Sequence, residues 1–125
     1  MYEDITCVFF IPVLPLVMLI AGAVVWRKPP AYKGYGYKTA RSESSPEAWA
    51  AAQLLCGRLL VLSHLPLLLM SVAAVVIAVA VSIRESTAVI MTVAAVFVQL
   101  AVLFTALGMT ERTLRRQFDR NGRPI

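Results

Sequence analysis

Three apolar runs, residues 7–26, 59–83 and 88–109, constrain this chain more than anything else in it. Each supplies the roughly 20 residues that a helix needs to cross a ~30 Å hydrocarbon layer. Inside such a layer every backbone donor and acceptor must find its partner within the element, so runs of this kind are helices. With 59% of its 125 residues apolar, the chain also lies above the roughly 45–50% usual for soluble domains. The expected fold is all-α: a polytopic membrane protein with three transmembrane helices. It forms one domain over 1–125, with a motif loop at 27–53 and a basic tail at 110–125.

Charge placement predicts the orientation. Glu3 and Asp4 precede the first span and Arg27-Lys28 follow it, the reverse of a secretory signal. Arg27, Lys28, Lys33, Lys38 and Arg41 lie between the first and second spans, Arg112, Arg115, Arg116, Arg120 and Arg123 follow the third, and Arg84 alone lies between the second and third. The positive-inside rule therefore puts the amino terminus outside and the loop and carboxyl terminus in the cytoplasm, in a multi-pass protein of a bacterial inner membrane. The net charge of +5 is read as contact with anionic headgroups, so membrane lipids are expected partners and nucleic acid is not.

Local signals fill in the elements. Pro12 and Pro15 predict a kink in the outer half of the first span. Pro29-Pro30, Gly34 and Gly36 predict a loop with a tight turn. Ser45-Pro46-Glu47 reads as a helix start, with Ser45 as N-cap, and the helix should run unbroken into the second span. Its first turns carry Trp49, Gln53, Cys56 and Arg58, too polar for lipid, so they should lie at the interface or against protein. Ser63 is expected to satisfy the carbonyl that Pro66 loosens. Ala73, Ala74, Ala78 and Ala80, and on the third span Ala94, Ala101 and Gly108, offer small-residue faces for close packing. A short turn at 82–87 makes the second and third spans an antiparallel hairpin, and Leu114 and Phe118 mark a helical continuation that Asn121-Gly122 ends. Cys7 and Cys56 read as two buried thiols.

Most of the middle loop's hydrogen-bonding and charged groups fall in residues 34–49, so recognition is expected to pass through that stretch. The candidate residues are Tyr35, Gly36, Tyr37, Lys38, Thr39, Arg41, Trp49 and Gln53. Catalysis is not expected: there is one His, no paired intramembrane carboxylate, no His-Glu-x-x-His and no phosphate-cradling glycine loop. No cofactor or metal is implied. His64 reads as a hydrogen-bonded helix contact rather than a proton relay or metal ligand, and Gln99 should bond another helix, of this chain or of a partner. Two roles remain open for the loop. In one, Lys38 and Arg41 pair with Glu47, Glu111 or a partner's acids while Tyr37 and Trp49 act as anchors; in the other, the same residues cap the bundle. Three thin helices bury little alone, so the alternative reading is an accessory subunit of a larger membrane assembly, such as a transporter or respiratory complex, and another membrane protein is an expected partner.

The motifs resemble those of the SdpI family of small bacterial membrane proteins. The resemblance rests on Gly36-Tyr37-Lys38-Thr39, Arg41-Ser42, Pro46 to Trp49, Gln53 and Gly57, and on Thr110-Glu111-Arg112, Leu114, Arg115, Phe118-Asp119 and Asn121-Gly122, about half the chain. Lys38 stands where the family usually has Arg, Gln53 where it has Asn, and Tyr32 where an Asn often precedes the Gly-Tyr pair. The resemblance implies a membrane fold and a motif loop. It also implies kinship with an immunity protein that protects against a secreted peptide toxin and holds a repressor at the membrane.

Overall fold

The computed structural model describes residues 4–125, and the elements among them are helical. A 3-10 turn, Thr6–Phe10, leads into α1, Val13–Arg27. A second 3-10 turn, Ser42–Ser44, precedes α2, Pro46–Val81, which is followed closely by α3, Glu85–Gln117. The stretches Thr6–Arg27, Pro46–Val81 and Glu85–Gln117 are each long and apolar enough to cross a membrane. The three-helix expectation therefore holds, but α2 and α3 outrun the spans. At 1.5 Å per residue α2 is about 54 Å long, some 24 Å more than a ~30 Å hydrocarbon layer takes up.

The first span is broken rather than merely kinked. The 3-10 turn gives way to α1 at Ile11-Pro12, and Pro15, with no N–H, cannot donate to the carbonyl of Ile11 one turn back. Ser45 starts α2 as its residues predict: its backbone is extended (φ −159°) and its hydroxyl accepts from the Ala48 N–H at 3.0 Å. The helix ends at Ser82, in the left-handed region (φ 56°), and α3 begins three residues later, closing an antiparallel hairpin. Beyond α3, Phe118 bridges Pro124 in a small hook around Gly122 (φ 75°).

Helix α2 is the central element. Helix α1 packs along it, α3 packs along it, and the 3-10 turn before α1 reaches across to α3. The closest approach is glycine on glycine. A Cβ on Gly57 would lie 2.9 Å from both the Gly22 carbonyl oxygen and the Trp26 nitrogen, and one on Gly22 would lie 2.7 Å from Leu60 Cβ. The alanines expected to make close seams do so only in part: Ala78 is buried, whereas Ala73, Ala80, Ala94, Ala101 and Gly108 are exposed, and a Cβ on Gly108 would meet nothing within 4 Å. Position around the helix rather than smallness alone decides this, because α3 buries Ala88 and Ala106, on another face, against its neighbours. Ser63 departs from expectation too. Its hydroxyl lies 3.4 Å from the Leu60 carbonyl and 2.9 Å from His64 Nδ1, two residues short of the Leu62 carbonyl from which Pro66 withholds a donor.

Candidate functional site

The extra length of α2 and α3 builds a platform at one end of the molecule, and the loop between α1 and α2 is fastened onto it. The chain leaves α1 through Pro29-Pro30 and turns at Gly34 and Gly36. Gln53, two turns into α2, then holds the next backbone unit from both sides. Its Oε1 accepts from Tyr37 N at 2.8 Å and its Nε2 donates to Tyr37 O at 2.6 Å. Gly36 permits this approach, since its φ is +118° and a Cβ there would overlap Gln53 Oε1. One turn earlier on α2, Trp49 is buried and donates from Nε1 to the Pro30 carbonyl at 3.0 Å. Tyr32 packs edge-on against it, ring centres 6.2 Å apart, and its hydroxyl donates to the Glu43 carbonyl at 2.6 Å.

The loop also crosses to α3. The Tyr37 hydroxyl donates to Glu111 Oε2 at 2.6 Å, and Thr39 Oγ1 donates to the same oxygen at 2.9 Å. Thr39 and the buried Ser42 exchange backbone and hydroxyl bonds, Thr39 N to Ser42 Oγ at 2.8 Å and Ser42 N to Thr39 Oγ1 at 3.1 Å. Farther along, Arg41 Nη1 donates to the Phe118 carbonyl at 3.2 Å and Ser45 Oγ donates to the Gly122 carbonyl at 2.7 Å. Beneath these bonds Leu114 and Phe118 pack on Ala48 and Ala52, with Tyr37 against their edge. Burial, with the Glu111 carboxylate next to it, raises the Tyr37 pKa above the usual tyrosine value, so at neutral pH the phenol remains a donor.

Eight loop and α2 residues were candidates, and the structure divides them. Gly36, Tyr37, Thr39, Trp49 and Gln53 converge in the fastening, with Arg41 at its margin. Tyr35 and Lys38 do not join it: Tyr35 is 59% exposed and Lys38 is exposed between the inward-turned Tyr37 and Thr39. The expected ion pairs of Lys38 and Arg41 with Glu47 or Glu111 are not formed among the described residues. Glu111 is occupied by two neutral hydroxyls, and Arg41 has taken a backbone carbonyl instead. Sequence reasoning named Glu111 as a possible ionic partner and in the tail motif, and named Ser42 in the loop motif without giving its hydroxyl a role. The Thr39-x-x-Ser42 spacing, which suits a reciprocal hydroxyl–backbone exchange, was the available signal for the latter.

The two intramembrane candidates lie elsewhere. His64 is fully buried; its Nδ1 is 3.1 Å from the Leu60 carbonyl, a bond within its own helix, and its Nε2 has no partner among the described residues. Gln99 does bond another segment, and that segment belongs to this chain. Its Nε2 donates to the Ile11 carbonyl at 2.6 Å and approaches Ser71 Oγ at 3.3 Å. The Ile11 carbonyl is the acceptor that Pro15 leaves without an N–H, so an amide from α3 completes the break in the first span.

A mostly apolar cleft of about 350 Å³ runs between the helices beneath the loop, lined by Met18, Ala21, Leu60, Leu103 and Leu107, with Tyr37 at one end. Among the described residues no three His, Cys, Asp or Glu side chains gather so as to hold a metal ion. The arrangement is equipped to hold and present: its one shared carboxylate already accepts two hydroxyls from the chain.

Residues 27–107, well over half the chain, match the model of the SdpI/YfhL protein family. The chain belongs to that family. No curated protein and no solved structure matches it. The SdpI/YfhL match contains Gly36 to Gln53, His64 and Gln99 but stops before Glu111, so the acceptor of the Tyr37 and Thr39 hydroxyls lies outside the matched stretch. Membership makes the chain a membrane protein of the SdpI/YfhL family, which is not known as a family of enzymes.

Proposed function

We propose that the chain is a non-catalytic binding protein of a bacterial inner membrane, with its amino terminus outside and its loop and tail in the cytoplasm, and that it recognises a partner through the outer edge of the loop. The observation that carries this reading is the division within one short motif. Tyr37 and Thr39 are bonded to α3 and Gln53 grips the Tyr37 backbone, while Tyr35 and Lys38 between and beside them face solvent. A fixed backbone that displays an aromatic ring and a cation loses little entropy on binding, and exposed aromatic residues are efficient anchors. The partner's complementary surface is acidic, and the partner is another membrane protein or complex, in keeping with an immunity or signalling role.

The test is a paired comparison in mild detergent from the native host. Tyr35→Ala with Lys38→Glu should leave abundance and thermal stability unchanged and abolish co-purification of the partner, whereas Gln53→Ala should lower stability first. A wild-type protein that purifies alone, or a double variant that retains its partner, defeats the reading. A second reading, an accessory subunit of a larger membrane assembly, is favoured by the apolar cleft left beneath the loop. It predicts a native particle much heavier than the 125-residue chain.

A further inference from the structure

On the opposite side of the platform from Gln53 lies a groove of about 520 Å³ bordered by Trp26, Leu54, Leu55, Arg58, Leu62 and Gln117. Its depth can be set from helix geometry alone. Val81 ends α2 next to the polar hairpin turn, and Arg58 is 23 residues earlier, about 35 Å along the axis. With one boundary of a ~30 Å hydrocarbon layer at that turn, Arg58 lies about 5 Å past the other, in the headgroup layer. Leu62, one turn farther along α2, then lies at the hydrocarbon boundary.

The chemistry of the rim is one-sided. Arg58 is exposed and forms no ion pair among the described residues, and no carboxylate borders the groove. The Trp26 indole and the Gln117 amide add donors, whereas Arg112 and Arg116 are next in sequence to Thr113 and Gln117 but do not line the groove. A cationic rim repels a choline or ethanolamine ammonium and attracts a phosphodiester without one, while the leucines below offer an apolar wall to an acyl chain. We infer that this groove is a binding site for an anionic phospholipid, with the phosphate on Arg58 and an acyl chain along Leu54, Leu55 and Leu62. It does not depend on the identity of any protein partner, since neither Tyr35 nor Lys38 lines it.

Trp26 makes the site observable, because Trp49 is buried under Tyr32. The full-length protein in phosphatidylcholine nanodiscs would be titrated with brominated phosphatidylglycerol or brominated phosphatidylcholine while tryptophan emission is followed. Phosphatidylglycerol should half-quench at about fivefold lower mole fraction, the preference expected from one cation at the surface. Trp26→Phe should remove the difference, Arg58→Gln should merge the two curves, and Arg58→Lys, which keeps the charge, should retain most of the separation. Paired Arg112→Gln and Arg116→Gln should leave the curves apart. Equal curves for the wild type, separation that survives Arg58→Gln, or loss of the separation on adding inorganic phosphate would each overturn the site, the last by showing that a free anion suffices.

Discussion

The loop end and the first-span break solve the same problem with different numbers of bonds. At the loop end Tyr37, Thr39, Arg41, Ser45 and Gln53 each contribute a contact, spread over two helices and the tail hook. At the break a single amide, Gln99, serves the single orphaned carbonyl of Ile11. The contrast follows from the solvent. Near water every bond competes with hydration and is worth only about 1 kcal/mol, so order requires several of them. In hydrocarbon no water is at hand, and an acceptor left bare by a proline needs only one donor. Redundancy belongs to the wet end and economy to the dry one.

Substitutions can strain that contrast, and the largest effect should come from neither polar site. Gly57→Leu would drive a side chain into the Gly22 and Trp26 backbone and should cost about 3 kcal/mol or more, read as loss of folded protein on titration with a denaturing detergent. Gln53→Ala removes both bonds to the Tyr37 backbone. It should cost about 2 kcal/mol and expose the loop to protease while the spans remain folded. Gln99→Leu should lower stability by about 1 kcal/mol, within the range for interhelical bonds in membranes, and should accelerate amide exchange around Ile11 without opening the loop. If Gln99→Leu frees the loop or Gln53→Ala loosens the first span, the two ends are not independent.

The smallest effect is expected at Tyr37. Tyr37→Phe should cost at most about 1 kcal/mol, because one bond of several is lost. Its titration is more telling. A phenol whose pKa is raised in the folded state binds its proton more tightly there than in the unfolded chain. The associated stability is therefore complete below the unfolded tyrosine value of about 10 and declines as pH rises above it. Tyrosinate absorbance should show a step above the usual tyrosine range, and that late step should vanish in Tyr37→Phe.

What could be read from the sequence was what neighbours in the chain decide. The Ser45 cap, the Pro46 start and the apolar runs depend on residues a few positions apart, and each stands where it was expected. The contacts that escaped are long-range. Ile11 and Gln99 are 88 positions apart, and only the packed helices bring the orphaned carbonyl under the amide. Glu111 was visible as a charge, but charge alone favoured a cation as its partner. The geometry instead turned Tyr37 and Thr39 inward and left Lys38 between them facing out. The glycine seam was hidden for a similar reason, since Gly22 and Gly57 lie on separate helices and neither motif nor period ties them together.

The fastening of the loop to residues 111, 118 and 122 also fixes an order of events. During synthesis residues 35–45 emerge long before Glu111, Phe118 and Gly122 exist. The loop must therefore wait, unfastened, until those residues have been made. Any factor that reads the fastened loop edge thereby distinguishes a chain that already carries the end of α3 and its hook from one cut short before them.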